Sequence, residues 1–106
     1  MAVDKRRVLD KVNAARVALG GAPLSQIAQG RSIGADCPLA NSLKDLLPGA
    51  AVRSSSILGV PEAQRVKFAA AVGGTVRGDV VYNPTEFRQF VDEFDSGRAH
   101  QELRRF

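Results

Sequence analysis

The sequence predicts an α+β fold of about four helices and a small two-stranded sheet, in the order helix, helix, strand, helix, strand, helix. Three observations carry that reading. Apolar residues recur at helical spacing in four stretches, alternate with polar ones in two, and glycine or proline punctuates the junctions. The 106 residues are enough for one domain, taken as 1–106 with a short polar C-terminal tail over 98–106. An apolar fraction of 44% with 25% charged residues fits a cored globular chain rather than a disordered or fibrous one.

The first helix is predicted over Val3 to Leu19. Val8, Val12, Ala15 and Leu19 share one face, Asp4 is available as N-cap, and Gly20-Gly21 followed by Pro23 stops it. Leu24 and Ile27 make a single turn that plugs a loop containing Gly30, Ser32 and Gly34. The second helix runs over Cys37 to Leu47, with Asp36 as cap, Pro38 in the first turn and Leu39, Leu43, Leu46 and Leu47 on one face. Val52 to Leu58 alternates weakly and reads as a strand. Pro61 opens a third helix, Glu62 to Val72, with Val66, Ala69, Ala70 and Phe68 as its apolar members. Thr75 to Tyr82 is the better strand, with Val76, Val80 and Tyr82 on one face. Asn83-Pro84-Thr85-Glu86 approaches a capping box, and Phe87, Phe90, Val91 and Phe94 follow at helical spacing to Asp95. The predicted core is Val12, Leu19, Leu39, Leu43, Val66, Val80, Phe87, Phe90 and Phe94.

Fifteen basic residues against eleven acidic ones give a net charge of +4. The distribution is uneven. Residues 1–34 hold six bases against two acids, and residues 83–97 hold four acids against one base. This polarity suits either an internal contact between the two ends or two partner surfaces. The single cysteine, Cys37, has no intramolecular disulfide partner, and no apolar run follows Met1, so a cytoplasmic chain is expected. No stretch approaches a membrane span, and no membrane partner is predicted.

Chemistry-bearing motifs are sparse. Cys37 in a first helical turn could be activated by the helix dipole, but a small buried residue is the simpler reading, and the one histidine, His100, lies in the polar tail. One Cys and one His do not make a zinc site. Gly73-Gly74-Thr75-Val76-Arg77-Gly78 follows a helix and precedes a strand, the reverse of the dinucleotide fingerprint, and no P-loop is present. Arg77-Gly78-Asp79 reads as a strand or turn with a glycine bulge. An anion site at the start of the third helix, behind three serines and Arg53, is opposed by Glu62. Catalytic, cofactor-binding and metal-binding residues are therefore predicted to be none. Two candidate surfaces remain. Lys5, Arg6, Arg7, Lys11 and Arg16 form a candidate polyanion contact. Ser54, Ser55, Ser56, Ile57 and Leu58, a strand segment with no charge, form a candidate interface through which a second copy could add as a homodimer.

Around Asp36-Cys37-Pro38-Leu39-Ala40-Asn41-Ser42-Leu43, together with Leu19-Gly20-Gly21-Ala22-Pro23-Leu24, the chain resembles small proteins of actinobacteria and their phages that carry a C-P-[LI]-A-x-x-L segment after a helix and a Pro-Leu turn. The resemblance covers the first half and implies a bacterial or phage setting, with no activity or site residue to carry over. The expected function is that of a small non-enzymatic protein acting by protein-protein binding. The alternative is a DNA-associated regulator using the basic first helix, and nucleic acid is the less favoured partner.

Overall fold

The structure, a computed structural model, describes residues 4–31 and 36–95. The polar tail, His100 and Gly34 lie outside the described residues. The first helix, α1 (Lys5–Ala18), begins where the Asp4 carboxylate accepts the Arg6 and Arg7 amides at 3.0 and 3.3 Å. It buries Val8, Val12 and Ala15 against the three other helices. The long loop that follows is pinned by polar side chains. Asn13 exchanges two hydrogen bonds with the Leu24 backbone, at 2.9 and 2.7 Å, and Ser42 Oγ accepts the Ala28 amide at 2.9 Å. These bonds satisfy loop backbone groups that burial would otherwise leave unpaired.

The second helix, α2 (Pro38–Leu43), is shorter than predicted and is capped by Cys37 rather than Asp36. Proline favours the first helical position, so the residue before it becomes the cap; Cys37 Sγ accepts the Ala40 amide at 3.4 Å. Past Leu43 the chain tightens instead of continuing the helix, with the Lys44 amide turning to the Asn41 carbonyl at 3.5 Å, and Pro48 disfavours extension through Leu47. The Leu46 and Leu47 amides both turn back to the Leu43 carbonyl, at 3.0 and 2.7 Å.

The sheet corrects the two-strand expectation. Each predicted strand folds back on itself, giving β1 (Ala51–Val52), β2 (Ser56–Leu58), β3 (Thr75–Arg77) and β4 (Val80–Tyr82) in the order β1-β2-β4-β3, every neighbour antiparallel. Gly78 supplies φ +60° at the first turn position between β3 and β4, with no positive φ at Asp79, as a type II′ hairpin turn requires. In the other hairpin Ser54 and Ser55 make the turn, and the Arg53 amide donates to the Ser56 carbonyl at 2.8 Å. The third helix, α3 (Glu62–Val72), crosses from β2 to β3. These two strands run parallel, the usual outcome of a strand-helix-strand connection, with β4 inserted between them.

The two-residue turn at Gly78 also explains the correction at Val80. Such a turn places Arg77 and Val80 opposite each other on one face, so the phase of the alternation inverts across it. Val81, not Val80, enters the core, with Val52 and Ile57 beside it. On α3 the buried set is Phe68, Ala69 and Val72, while Val66 is 72% exposed. Phe68 and Val66 sit more than half a turn apart, and the helix turns its larger apolar side chain inward. Leu19 is half-buried against the core; the remaining predicted core residues are buried.

The fourth helix, α4 (Thr85–Asp95), adds Phe87, Phe90, Val91 and Phe94 to the same core. Asn83 does not act as the expected cap. Its Nδ2 donates to the Arg53 and Ser54 carbonyls at 2.6 and 3.1 Å, while its buried Oδ1 has no hydrogen-bond partner. Asn83 thus ties the start of α4 to the β1-β2 turn.

Candidate functional site

The basic residues of α1 do not form one surface. Arg16 is only 5% exposed. Its guanidinium forks onto Asp45, Nη1 to Oδ1 at 2.7 Å and Nη2 to Oδ2 at 2.9 Å. It also donates to the Ala22 and Ser42 carbonyls at 2.6 and 2.7 Å. Arg16 therefore leaves the candidate polyanion contact: it is the clamp that joins α1, the loop and α2. Arg7 and Lys11 reach the Glu86 carboxylate at 3.5 and 3.9 Å, so part of the charge polarity is spent inside the molecule, between α1 and α4. Lys5 and Arg6 remain exposed.

The Arg16 hydrogen bonds hold the Asp45 carboxyl below its ordinary pKa, and Asp45 in turn raises that of Arg16. A depressed carboxyl contributes stability above its unfolded pKa of about 3.9, and that contribution fades as pH falls through the lower folded value. Arg16→Ala is expected to cost about 2–3 kcal/mol, because two backbone carbonyls lose a charged donor and the carboxylate loses its fork. Urea titrations from neutral to acid pH check it; the stability gap between wild type and Asp45→Asn should narrow below about pH 4.

The segment Ser54 to Leu58 is not the free edge expected of it. β2 is an interior strand, bonded to β1 on one side and β4 on the other. The Ser54 hydroxyl donates to the Asp92 carboxylate on α4, the Ser55 carbonyl accepts the Asn83 amide at 3.0 Å, and Ile57 is fully buried. Of the five residues, Ile57 faces the core and Leu58 the opposite side. The outer strands are β1, whose Val52 carbonyl accepts from the buried Cys37 thiol, and β3.

Cys37 is 4% exposed. Its sulfur accepts the Ala40 amide and lies 3.9 Å from the Val52 carbonyl, to which the thiol donates. It joins α2 to β1. Labelling by a bulky thiol reagent is expected to be slow in the native state and fast in denaturant; comparable rates would contradict this placement.

The sheet presents a surface that the sequence reading did not find. α2 and α3 are the helices that contact the strands, both from the core side, and among the described residues no helix lies over the other side. Strand pairing sets two rows across that outer face: Arg53, Ser56, Tyr82 and Thr75 in one, and Ala51, Leu58, Val80 and Arg77 in the other. Tyr82 is 41% exposed, with the Arg77 guanidinium 6.0 Å from its ring centroid. Thr75, Arg77 and Tyr82 line an open recess of about 300 Å³ at the β3 edge. Arg65, on α3, donates to the Val60 and Gly78 carbonyls at 3.0 and 3.5 Å, beside the β3-β4 turn. The signal was present as Arg77 and Tyr82 on an alternating stretch, but placing them on one face required the turn at Gly78.

Among the described residues no group of three metal-ligating side chains occurs, and no helix is long and apolar enough to cross a membrane. The fold and surface define a small α+β domain whose antiparallel sheet is covered by helices on one side. Comparison with protein-family models, curated proteins and solved structures gave no match.

Proposed function

We propose that this chain is a small cytoplasmic, non-enzymatic protein of bacterial or phage origin that acts by binding another protein through the outer face of its sheet. The observation that carries the reading is the apolar strip of Leu58, Val80 and Tyr82 lying between Arg53 and Arg77 with no helix over it among the described residues. A face that mixes an exposed aromatic ring with arginines has the composition of a binding surface. The non-enzymatic part rests on the sequence, where no nucleophile, base or cofactor motif stands at working spacing. The bacterial or phage setting rests on the C-P-L-A segment after α1. Self-association is the simplest case of such binding, and it moves from Ser54–Leu58 to this face and its edges.

The test compares wild type with Tyr82→Ala and, as a surface control, Val66→Ser. Sedimentation across a wide concentration series reads self-association, and quantitative capture from a lysate of the encoding organism reads other partners. Loss of either with Tyr82→Ala, and its retention in Val66→Ser, supports the reading. Binding indifferent to Tyr82 overturns it. A shift of duplex DNA at moderate salt that disappears on substituting Lys5 and Arg6 would replace it with the DNA-associated reading.

A further inference from the structure

We propose that β3 is a docking edge for an extended acidic segment of a partner protein, which adds as a fifth strand and places a carboxylate in the recess between Thr75, Arg77 and Tyr82. The proposal rests on the protein-binding reading above and names the partner's chemistry.

Backbone geometry comes first. Arg77 and Val80 flank a two-residue turn and exchange both ladder bonds, as do Thr75 and Tyr82 one step further along, so Val76 turns its N–H and C=O outward. An added strand would bond there, about 4.8 Å away, and its outward side chains would stand beside Thr75 and Arg77. With so short an edge, backbone bonds alone give little affinity, and the recess must supply the rest.

Charge then selects the occupant. Arg53, Arg65 and Arg77 have no acidic partner within ion-pair distance among the described residues; Asp79 at the hairpin tip is the one acid on that hairpin. A carboxylate in the recess would accept from the Arg77 guanidinium and the Thr75 hydroxyl, with the Tyr82 ring as its apolar wall. Single-stranded nucleic acid would meet the same arginines, but the face offers one aromatic ring where successive bases need successive stacking partners.

The experiment is an amide NMR titration of the full chain with an alternating Val-Glu octapeptide, its Val-Lys counterpart and oligothymidylate. The expected result is saturable binding of the acidic peptide alone, with the Val76 amide shifting most. Arg77→Glu, with its fold verified by an unchanged thermal midpoint, should weaken binding about tenfold or more, while Arg6→Glu leaves it unchanged. Equal binding of both peptides, preference for oligothymidylate, no binding, or shifts confined to another surface would overturn the proposal. If it falls while partner capture still depends on Tyr82, the β3 edge is wrong and the binding reading stands; if that dependence is also missing, both fall.

Discussion

Phe90→Ala is expected to destabilise the chain by about 3–5 kcal/mol, the usual range for removing a buried phenylalanine ring. Phe90 is 1% exposed, and its ring lies parallel to that of Phe94, with centroids 6.3 Å apart. The cavity left behind would open between α4 and the rest of the core, where Phe87 and Phe94 are held by their own packing and cannot both move in to fill it. In a domain of this size such a loss lowers the thermal midpoint by well over about 10 °C. Thermal and urea denaturation read it directly. A midpoint unchanged in the mutant would remove the phenylalanine stripe from the core and make it a partner surface.

That stripe was legible because four large apolar residues at helical spacing admit one burial geometry, and the bounds of α1 and α3 followed from caps and stops of the same local kind. The sheet was less legible for a reason of parity. A two-residue turn inverts the phase of the alternation without leaving a visible gap, so Thr75 to Tyr82 taken as one strand puts Val80 and Tyr82 beside Val76, and taken as a hairpin puts Val81 there instead. Gly78 was the available signal, read as a bulge as readily as a turn. Once the turn is placed, Val80 and Tyr82 join Thr75 and Arg77 outside, and the binding face comes into existence. The role of Arg16 was illegible for a different reason. Its partners, Ala22, Ser42 and Asp45, lie on separate elements, and no local pattern distinguishes a clamp from one more base on a charged helix.

The second large effect is expected at Gly59, where the chain leaves β2. Gly59 holds φ +82°, and a Cβ there would stand 2.0 Å from the Gly49 carbonyl oxygen and 2.7 Å from its carbon. Both atoms are backbone, so no side chain can swing aside. Gly59→Ala therefore combines the left-handed penalty of about 1–2 kcal/mol with a forced shift of about 1–3 kcal/mol, roughly 2–5 kcal/mol together. Gly78→Ala separates the two costs: Gly78 also has positive φ, +60°, but nothing lies within 4 Å of its Cβ position, so only the conformational part applies. Urea denaturation of both variants should rank Gly59→Ala as the more destabilised, and equal losses would refute the close approach of the Gly49 carbonyl. The consequence reaches the surface as well. Parting Gly49 from Gly59 opens the mouth of the first hairpin, next to the Ala51–Leu58 pair. The row running from Leu58 through Val80 to Arg77 would then lose its fixed spacing, so Gly59→Ala should weaken outer-face binding even at temperatures where the mutant remains folded.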